Sequence, residues 1–317
     1  MVSTVKLGSG KFKYEVEEGW EKLPPGYSWR EVAAVAVDSD DRVYVFNRGD
    51  HPMIVFDRQG NFLNSWGEGV FNRPHGVTLG PNETLYCTDD GGHTVRQCTL
   101  DGEVLMTIGV PDQPSEYQSG YPFNRCTDVA IDPKTGELYV SDGYGNSRVH
   151  KYSPDGRLLF SWGTPGTDPG EFNIVHNIAT DASGYVYVAD RENHRVQVFD
   201  SKGKYETQWL NLHRPCAIYI SAEQHVYIGE LGSGLKLNRE MPNIGPRISV
   251  LGTDGERLAR VGHLGFGLET GQFIAPHGIC LDSRGDLYVG EVAWTNFRNL
   301  GEPRDHVRSL QKLVRTA

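Results

Sequence analysis

The sequence predicts an all-β fold, a six-bladed β-propeller with four-stranded blades around a central channel. Three observations lead to this prediction. A pattern of four short strands recurs six times, the copies are spaced as propeller blades are, and turn-forming residues are abundant. Glycine and proline supply 38 and 17 of the 317 residues, about 17 % of the chain against roughly 12 % on average, which favours turns over long helices.

One copy shows the pattern in full. Val129–Asp132 is a short apolar strand that ends at an aspartate, Leu138–Asp142 is the second strand and Arg148–Tyr152 is the third. A turn at Asp155-Gly156 leads to the fourth strand, Leu158–Gly163. Alternating polar and apolar residues, bounded by turn residues, are the sequence signal of strands.

The second strand of each copy reads Leu or Val, then Tyr, then an apolar residue. These strands start at Val43, Leu85, Leu138, Val186, Val226 and Leu287, so successive copies are 42, 53, 48, 40 and 61 residues apart. Four-stranded units of roughly 40–50 residues are propeller blades, whereas solenoid repeats usually carry helices or have shorter periods.

In chain order the blades are predicted near residues 33–66, 75–109, 127–163, 176–210, 216–262 and 277–314, within a single domain over residues 1–317. A strand near residues 12–17 is expected to complete the last blade and close the ring, which removes exposed sheet edges. Insertions at 232–246 and 293–304 interrupt the fifth and sixth blades and are expected to shape the rim.

Charge and hydropathy exclude several classes of partner. The formal net charge is −10, and phosphate contacts need clustered Lys and Arg, so we expect no nucleic-acid partner. The longest aliphatic run, Val32–Val37, is too short to cross a bilayer, which needs roughly 20 residues, so we expect no membrane partner. The N-terminus shows no apolar signal-peptide region. The sequence does not indicate an oligomeric state.

The cysteine content indicates a reducing compartment. Five cysteines are present and no Cys-x-x-Cys pair occurs, which disfavours a disulfide framework or a cysteine zinc site. Cys87 and Cys98 fall on adjacent strands of one hairpin; they are expected to be buried thiols, with a disulfide between them as the alternative. A cytoplasmic location fits best.

Histidine occurs at one position of alternate blades. Near the start of the first strand, the six copies carry Ala33, His75, Thr127, His176, Cys216 and His277, with the histidines 101 residues apart each time. Alternate blades of a six-bladed ring lie about 120° apart, so the three imidazoles converge on the axis. They predict an open three-histidine site for zinc or another divalent transition metal. The alternative is three independent histidines that donate to neighbouring backbone.

Three further side chains are candidates because of the loops that carry them. Arg48, Tyr144 and Arg191 follow second strands and are expected at the same end of the channel as the histidines. Arginines beside a cationic metal are unfavourable unless the ligand is an anion, so they predict a carboxylate substrate, either a small molecule or peptide-like. The alternative is that both arginines pair with loop aspartates such as Asp50 or Asp190. Tyr144 differs from the other repeat tyrosines by lying in a loop, where its phenol can act as a base.

These motifs resemble NHL-repeat six-bladed propellers. The segments 142–148 and 189–195, Asp-Gly-Tyr-Gly-Asn-Ser-Arg and Ala-Asp-Arg-Glu-Asn-His-Arg, carry the resemblance, which covers about residues 30 to 292. More narrowly, the chain is similar to peptidyl-α-hydroxyglycine α-amidating lyase, the enzyme that finishes C-terminal amidation. That resemblance implies a metal held by three histidines, usually zinc, with a tyrosine and two arginines in catalysis. The matching residues here are His75, His176, His277, Tyr144, Arg48 and Arg191.

The chain departs from the family at two positions. Gly278 stands where the family has an aspartate that ligates a structural calcium, which argues against calcium here. Gly145 replaces the family's disulfide cysteine after the tyrosine, as a reduced compartment would allow.

Three functions remain in competition. The first is a metal-dependent lyase that cleaves the C–N bond of an N-acyl-α-hydroxyglycine-type carbinolamide to an amide and glyoxylate. In it, Arg191 is expected to hold the substrate carboxylate and Arg48 to be the electrostatic partner of Tyr144. The second is a metal-dependent hydrolase of a small ester, lactone or amide in the same cage. The third is a non-catalytic interaction scaffold.

Overall fold

The computed structural model describes residues 5–239, 241 and 243–316. It confirms the predicted fold class: the protein is a six-bladed β-propeller of antiparallel, four-stranded blades and is almost all-β. The chain divides into two compact units, Met1–Trp66 with His225–Ala317, and Gly67–Gln224. Each observed blade begins one residue before the predicted position.

The second unit contains blades two, three and four. The strands of blade two are Pro74–Gly80, Thr84–Asp89, Thr94–Thr99 and Val104–Ile108; of blade three, Cys126–Ile131, Leu138–Asp142, Arg148–Tyr152 and Leu158–Trp162; and of blade four, Val175–Thr180, Val186–Asp190, Arg195–Phe199 and Tyr205–Trp209. A short parallel pair, Thr164–Pro165 with Glu171–Phe172, joins blades three and four. The first strand of blade five, Pro215–Ile220, ends this unit.

The first unit contains blade one, the rest of blade five, and blade six. Blade one has the strands Val32–Val37, Val43–Asn47, Met53–Phe56 and Phe62–Trp66; blade five continues with Val226–Glu230, Arg247–Leu251 and Arg257–Val261; and blade six has Pro276–Leu281, Leu287–Glu291 and Leu310–Arg315. The predicted closing strand is observed at Phe12–Glu17, where Val16 pairs with Leu313. Lys6–Ser9 adds a further strand outside it, which the sequence analysis did not predict.

The recurring tyrosine of each second strand has a structural role. In four blades its phenol donates to the aspartate directly after the first strand, with oxygen–oxygen distances of 2.9 to 3.5 Å (Tyr44 to Asp38, Tyr139 to Asp132, Tyr187 to Asp181 and Tyr288 to Asp282). The same aspartates accept backbone N–H groups of the turn that follows them. In these blades the tyrosine and the aspartate therefore connect the second strand to the turn after the first strand. The ring is buried and its hydroxyl makes a hydrogen bond.

Within the second unit, neighbouring blades pack against each other through apolar side chains. In the second unit one buried cluster joins blades two and three and includes Tyr86, Val95, Phe123, Val129 and Tyr152. All five cysteines are free and buried, as the sequence analysis expected. The strands could be predicted from their apolar residues because the first three strands of a blade are largely buried, whereas the fourth strand is more exposed.

The two insertions lie in the first unit. The insertion at 293–304 contains an α-helix, Ala293–Asn299, which the sequence analysis did not predict, and the insertion at 232–246 contains a 3₁₀ turn, Lys236–Asn238. Arg239 donates to Glu302 at 3.0 Å, so the two insertions contact each other. In the described part of the chain, neither helical segment has the length or apolar character that crossing a membrane requires.

Candidate active site

The predicted metal ligands share one position in their strands. His75, His176 and His277 are each the second residue of a first strand, and each is the extra residue of a β-bulge, flanked by residues that pair with the second strand. A bulge re-aims the side chain of the inserted residue and leaves that residue out of the ladder. All three histidines are buried.

The backbone fixes the tautomer of each ring. In the second unit, Nδ1 of His75 lies 2.7 Å from the carbonyl oxygen of Thr127, and Nδ1 of His176 lies 2.7 Å from that of Cys216. A carbonyl only accepts, so Nδ1 carries the hydrogen in both rings. In a neutral ring Nε2 is then the nitrogen with the lone pair, which is the arrangement of metal-ligating histidines.

The phenol of Tyr144 lies between these two rings. Its oxygen is 3.1 Å from Nε2 of His75 and 3.0 Å from Nε2 of His176. The phenol has one hydrogen to donate, whereas two nitrogen lone pairs face its oxygen. The phenol can therefore donate to only one of the two rings at a time. The ligand atoms of His75 and His176 lie within 4.8 Å of each other, so this donor set fits a transition metal.

Two glycines allow the Tyr144 loop to approach the histidine strand. A Cβ on Gly143 would lie 1.8 Å from the carbonyl oxygen of Val175, the residue before His176. A Cβ on Gly145 would lie 2.1 Å from the side chain of Asn124. The Asp-Gly-Tyr-Gly sequence thus places the phenol beside the ring because neither neighbour of Tyr144 carries a side chain.

Arg191 is held beside Tyr144 by a carboxylate. It opens the 3₁₀ turn Arg191–Asn193, and its guanidinium carbon lies 5.6 Å from the centroid of the Tyr144 ring. Its Nε donates to Glu192 at 2.7 Å, and Glu192 also accepts from Arg214 at 2.8 Å. Burial disfavours the charged form of Glu192, but Arg214 and Arg191 outweigh it and lower the carboxyl pKa from 4.5 to about 2.

This ion pair predicts a specific loss of stability in acid. Because the pKa of Glu192 is lower in the folded state, its contribution is complete above pH 4.5 and disappears as the pH falls towards 2. Between about pH 5 and pH 2.5, the free energy of urea unfolding should therefore decrease more steeply for wild type than for Glu192→Gln. Other carboxyl groups act equally in both proteins. Parallel curves would contradict the prediction.

In the first unit, His277 and Arg48 have equally defined surroundings. Nδ1 of His277 lies 2.6 Å from the carbonyl oxygen of Ala33, the same support that the other two rings have. Nη1 of Arg48 donates to Glu31 at 2.8 Å, and both side chains are buried. Glu31 also accepts from the backbone N–H and hydroxyl of Thr295, on the helix of the sixth-blade insertion. That insertion therefore buttresses a predicted site residue.

Both arginines pair with glutamates, whereas the alternative interpretation named Asp50 and Asp190. Arg48 pairs with Glu31 at 2.8 Å, and Arg191 pairs with Glu192 at 2.7 Å. The carboxylates at the ends of second strands are buried structural acceptors. Asp89, Asp142, Asp190 and Glu291 each accept backbone N–H groups from the segment that enters the first strand of the same blade.

One residue beside Tyr144 was missed by the sequence analysis. The guanidinium carbon of Arg125 lies 4.4 Å from the Tyr144 ring centroid, nearer than that of Arg191. Arg125 lies just before the first strand of blade three, with φ at +65°, a backbone conformation that side chains other than glycine rarely adopt. The sequence did not indicate the position of Arg125, because a left-handed backbone conformation is predicted from sequence only at glycine or asparagine.

Comparisons with known proteins fit this geometry. The family model of the NHL repeat matches residues 123–152 and 172–199, which include Tyr144, His176 and Arg191. These two segments are NHL repeats, within a six-bladed β-propeller. A catalytically inactive virginiamycin B lyase from Staphylococcus aureus with quinupristin superposes with a TM-score of 0.58 at 14 % identity, over 96 % of this chain and 88 % of that one. At that identity the likeness concerns the fold alone.

Two groups of relatives are similar to this NHL-repeat propeller in sequence. Human NHL repeat-containing protein 3 is 34 % identical over 218 residues, 65 % of this chain, and the chain spans 61 % of that protein's length. A probable peptidyl-alpha-hydroxyglycine alpha-amidating lyase of Caenorhabditis elegans is 34 % identical over 151 residues, 46 % of this chain and 42 % of the relative. The homologues of the propeller thus include amidating lyases.

Proposed function

We propose that the protein is a metal-dependent lyase that cleaves the C–N bond of an N-acyl-α-hydroxyglycine-type carbinolamide, giving an amide and glyoxylate. The observation that carries this proposal is the position of the Tyr144 phenol, between the Nε2 atoms of His75 and His176. A base at that point lies next to the group that a ligated metal would activate. The amidating lyases among the homologues support the same reaction class.

The metal would be held by His75, His176 and His277. The three rings share one strand position and one tautomer, and a six-bladed fold arranges alternate blades around one axis. Imidazole ligands suit zinc and other divalent transition metals, whereas calcium prefers oxygen ligands. Bound there, the metal would supply Lewis-acid stabilisation of an alkoxide.

The chain's own residues then perform three tasks on the substrate. Arg191 binds the substrate carboxylate, and its guanidinium is kept in place by Glu192. Tyr144 removes the hydroxyl proton; the oxygen electron pair forms the C=O bond of glyoxylate as the C–N bond breaks. The amide nitrogen receives the bond's electron pair and takes up a proton, which the Tyr144 phenol returns. Arg48 is assigned the stabilisation of the charge that develops in between.

A combined metal and product assay tests this function. Purified protein should contain one divalent transition metal per chain and release glyoxylate from a panel of N-acyl-α-hydroxyglycines. Ester or lactone cleavage without glyoxylate release would favour the hydrolase instead. Absence of metal together with absence of both activities would favour the interaction scaffold.

A further inference from the structure

We propose that Arg125 determines substrate specificity by binding a second anionic group, a carboxylate carried by the acyl part of the substrate. The inference rests on the proposed lyase function and names the class of N-acyl group that the same site prefers. It uses three residues outside the predicted set: Arg125, Asp90 and Arg73.

Arg125 lies at the solvent-exposed side of the catalytic tyrosine. Its guanidinium lies 4.4 Å from the Tyr144 ring, and its side chain is 41 % exposed, whereas that of Arg191 is 12 % exposed. A ligand that reaches the Tyr144 phenol from solvent therefore meets Arg125, while Arg191 is available deeper in the protein for the carboxylate beside the reacting carbon.

Asp90 holds Arg125 and is shared with a second arginine. Its carboxylate is fully buried and accepts from Arg125 at 2.6 Å and from Arg73 at 2.6 Å. Two guanidinium groups thus share one carboxylate, and the side chains of Arg73 and Arg125 are 33 % and 41 % exposed. Among the described residues Nη1 of Arg125 makes no hydrogen bond, so the guanidinium keeps donors for a further acceptor.

The backbone conformation of Arg125 helps to place its side chain beside Tyr144. Its positive φ is unusual for an arginine, and its N–H donates to Nδ1 of His93 at 3.1 Å. The same left-handed conformation occurs at Ile174 and Arg214, directly before the first strands of blades four and five, so the repeat itself fixes where the Arg125 side chain begins.

The chemistry of the ligand follows from these contacts. Guanidinium groups recognise carboxylates with paired, charge-assisted hydrogen bonds. The carboxylate that becomes glyoxylate is assigned to Arg191, so the anion at Arg125 has to belong to the acyl group. Substrates with an acidic acyl part, such as N-succinyl-α-hydroxyglycine, should be preferred over neutral ones such as N-acetyl-α-hydroxyglycine.

Equilibrium binding of unreactive analogues tests the subsite. By calorimetry at low salt, N-succinylglycine should bind wild-type protein about fivefold more tightly than N-acetylglycine, the effect expected of one partly exposed ion pair. Arg125→Gln should abolish the preference and Arg125→Lys should retain part of it. Arg157→Gln removes the same charge from an exposed turn of the same blade and should leave the preference intact.

Glyoxylate release separates this proposal from the lyase function. The ratio of kcat/KM for the succinyl and acetyl hydroxyglycines should follow the binding preference across the same variants. If neither compound releases glyoxylate, the lyase function is wrong, while the binding comparison still decides the subsite. Equal affinities in wild type, no binding of N-succinylglycine, or a preference that survives in Arg125→Gln overturns the subsite.

Discussion

Tyr144→Phe should lower kcat by roughly 10²–10⁴-fold, the usual contribution of a general base. The substitution removes the phenol oxygen that lies 3.0 and 3.1 Å from the two Nε2 atoms and leaves the ring in place. The packing of Arg125 and Arg191 against that ring is retained, so the fold should survive. Glyoxylate production under saturating substrate measures the effect.

Metal content is the control for Tyr144→Phe. Backbone carbonyls hold the histidine rings at Nδ1 whether or not the phenol is present, so the variant should keep stoichiometric metal. A variant with wild-type kcat would contradict the base role of Tyr144. It would assign proton removal to metal-activated hydroxide and favour the hydrolase interpretation.

His176→Ala should lose most of the bound metal and, with it, activity. Two imidazoles and water hold a transition metal far less well than three imidazoles, and even removal of an outer-shell partner costs about 10–100-fold in metal affinity. Elemental analysis after dialysis against a weak chelator measures the loss. His75→Ala and His277→Ala should behave in the same way.

His263→Ala is the matched control, because His263 is an exposed histidine outside the predicted set. It should keep its metal under the same dialysis. Circular dichroism of His176→Ala distinguishes metal loss from unfolding of the blade. If all three single variants kept stoichiometric metal, the site would lie elsewhere.

Most of the fold could be predicted because every blade repeats the same turn and strand signals. The closing strand at Phe12–Glu17 was also readable, from its alternating residues. Two elements were not. Lys6–Ser9 is four residues long and its strand signal is interrupted by Gly8. The helix Ala293–Asn299 has seven residues, of which Ala293 and Phe297 are buried, and this is too short for a helical period to be recognised in the sequence.

Candidate site residues could be predicted only where equivalent positions of the six blades could be compared. The histidines stand out because one strand position can be compared across six blades. In the structure this position is the extra residue of a β-bulge. The partners of the arginines could not be read, because Glu31 lies before the first strand of its blade and Glu192 lies beside Arg191 in a turn. Arg125 was missed because its contact with Tyr144 depends on a left-handed backbone conformation.

The backbone carbonyls that accept from Nδ1 of the three histidines affect which residues near them can change in evolution. Residues 33, 127 and 216 contribute an oxygen of the main chain, which every amino acid possesses. Mutation there can change the side chain without deleting the acceptor, and alanine, threonine and cysteine already occupy these positions. A lineage can therefore vary the three side chains beside the histidines while the orientation of the imidazole rings stays the same.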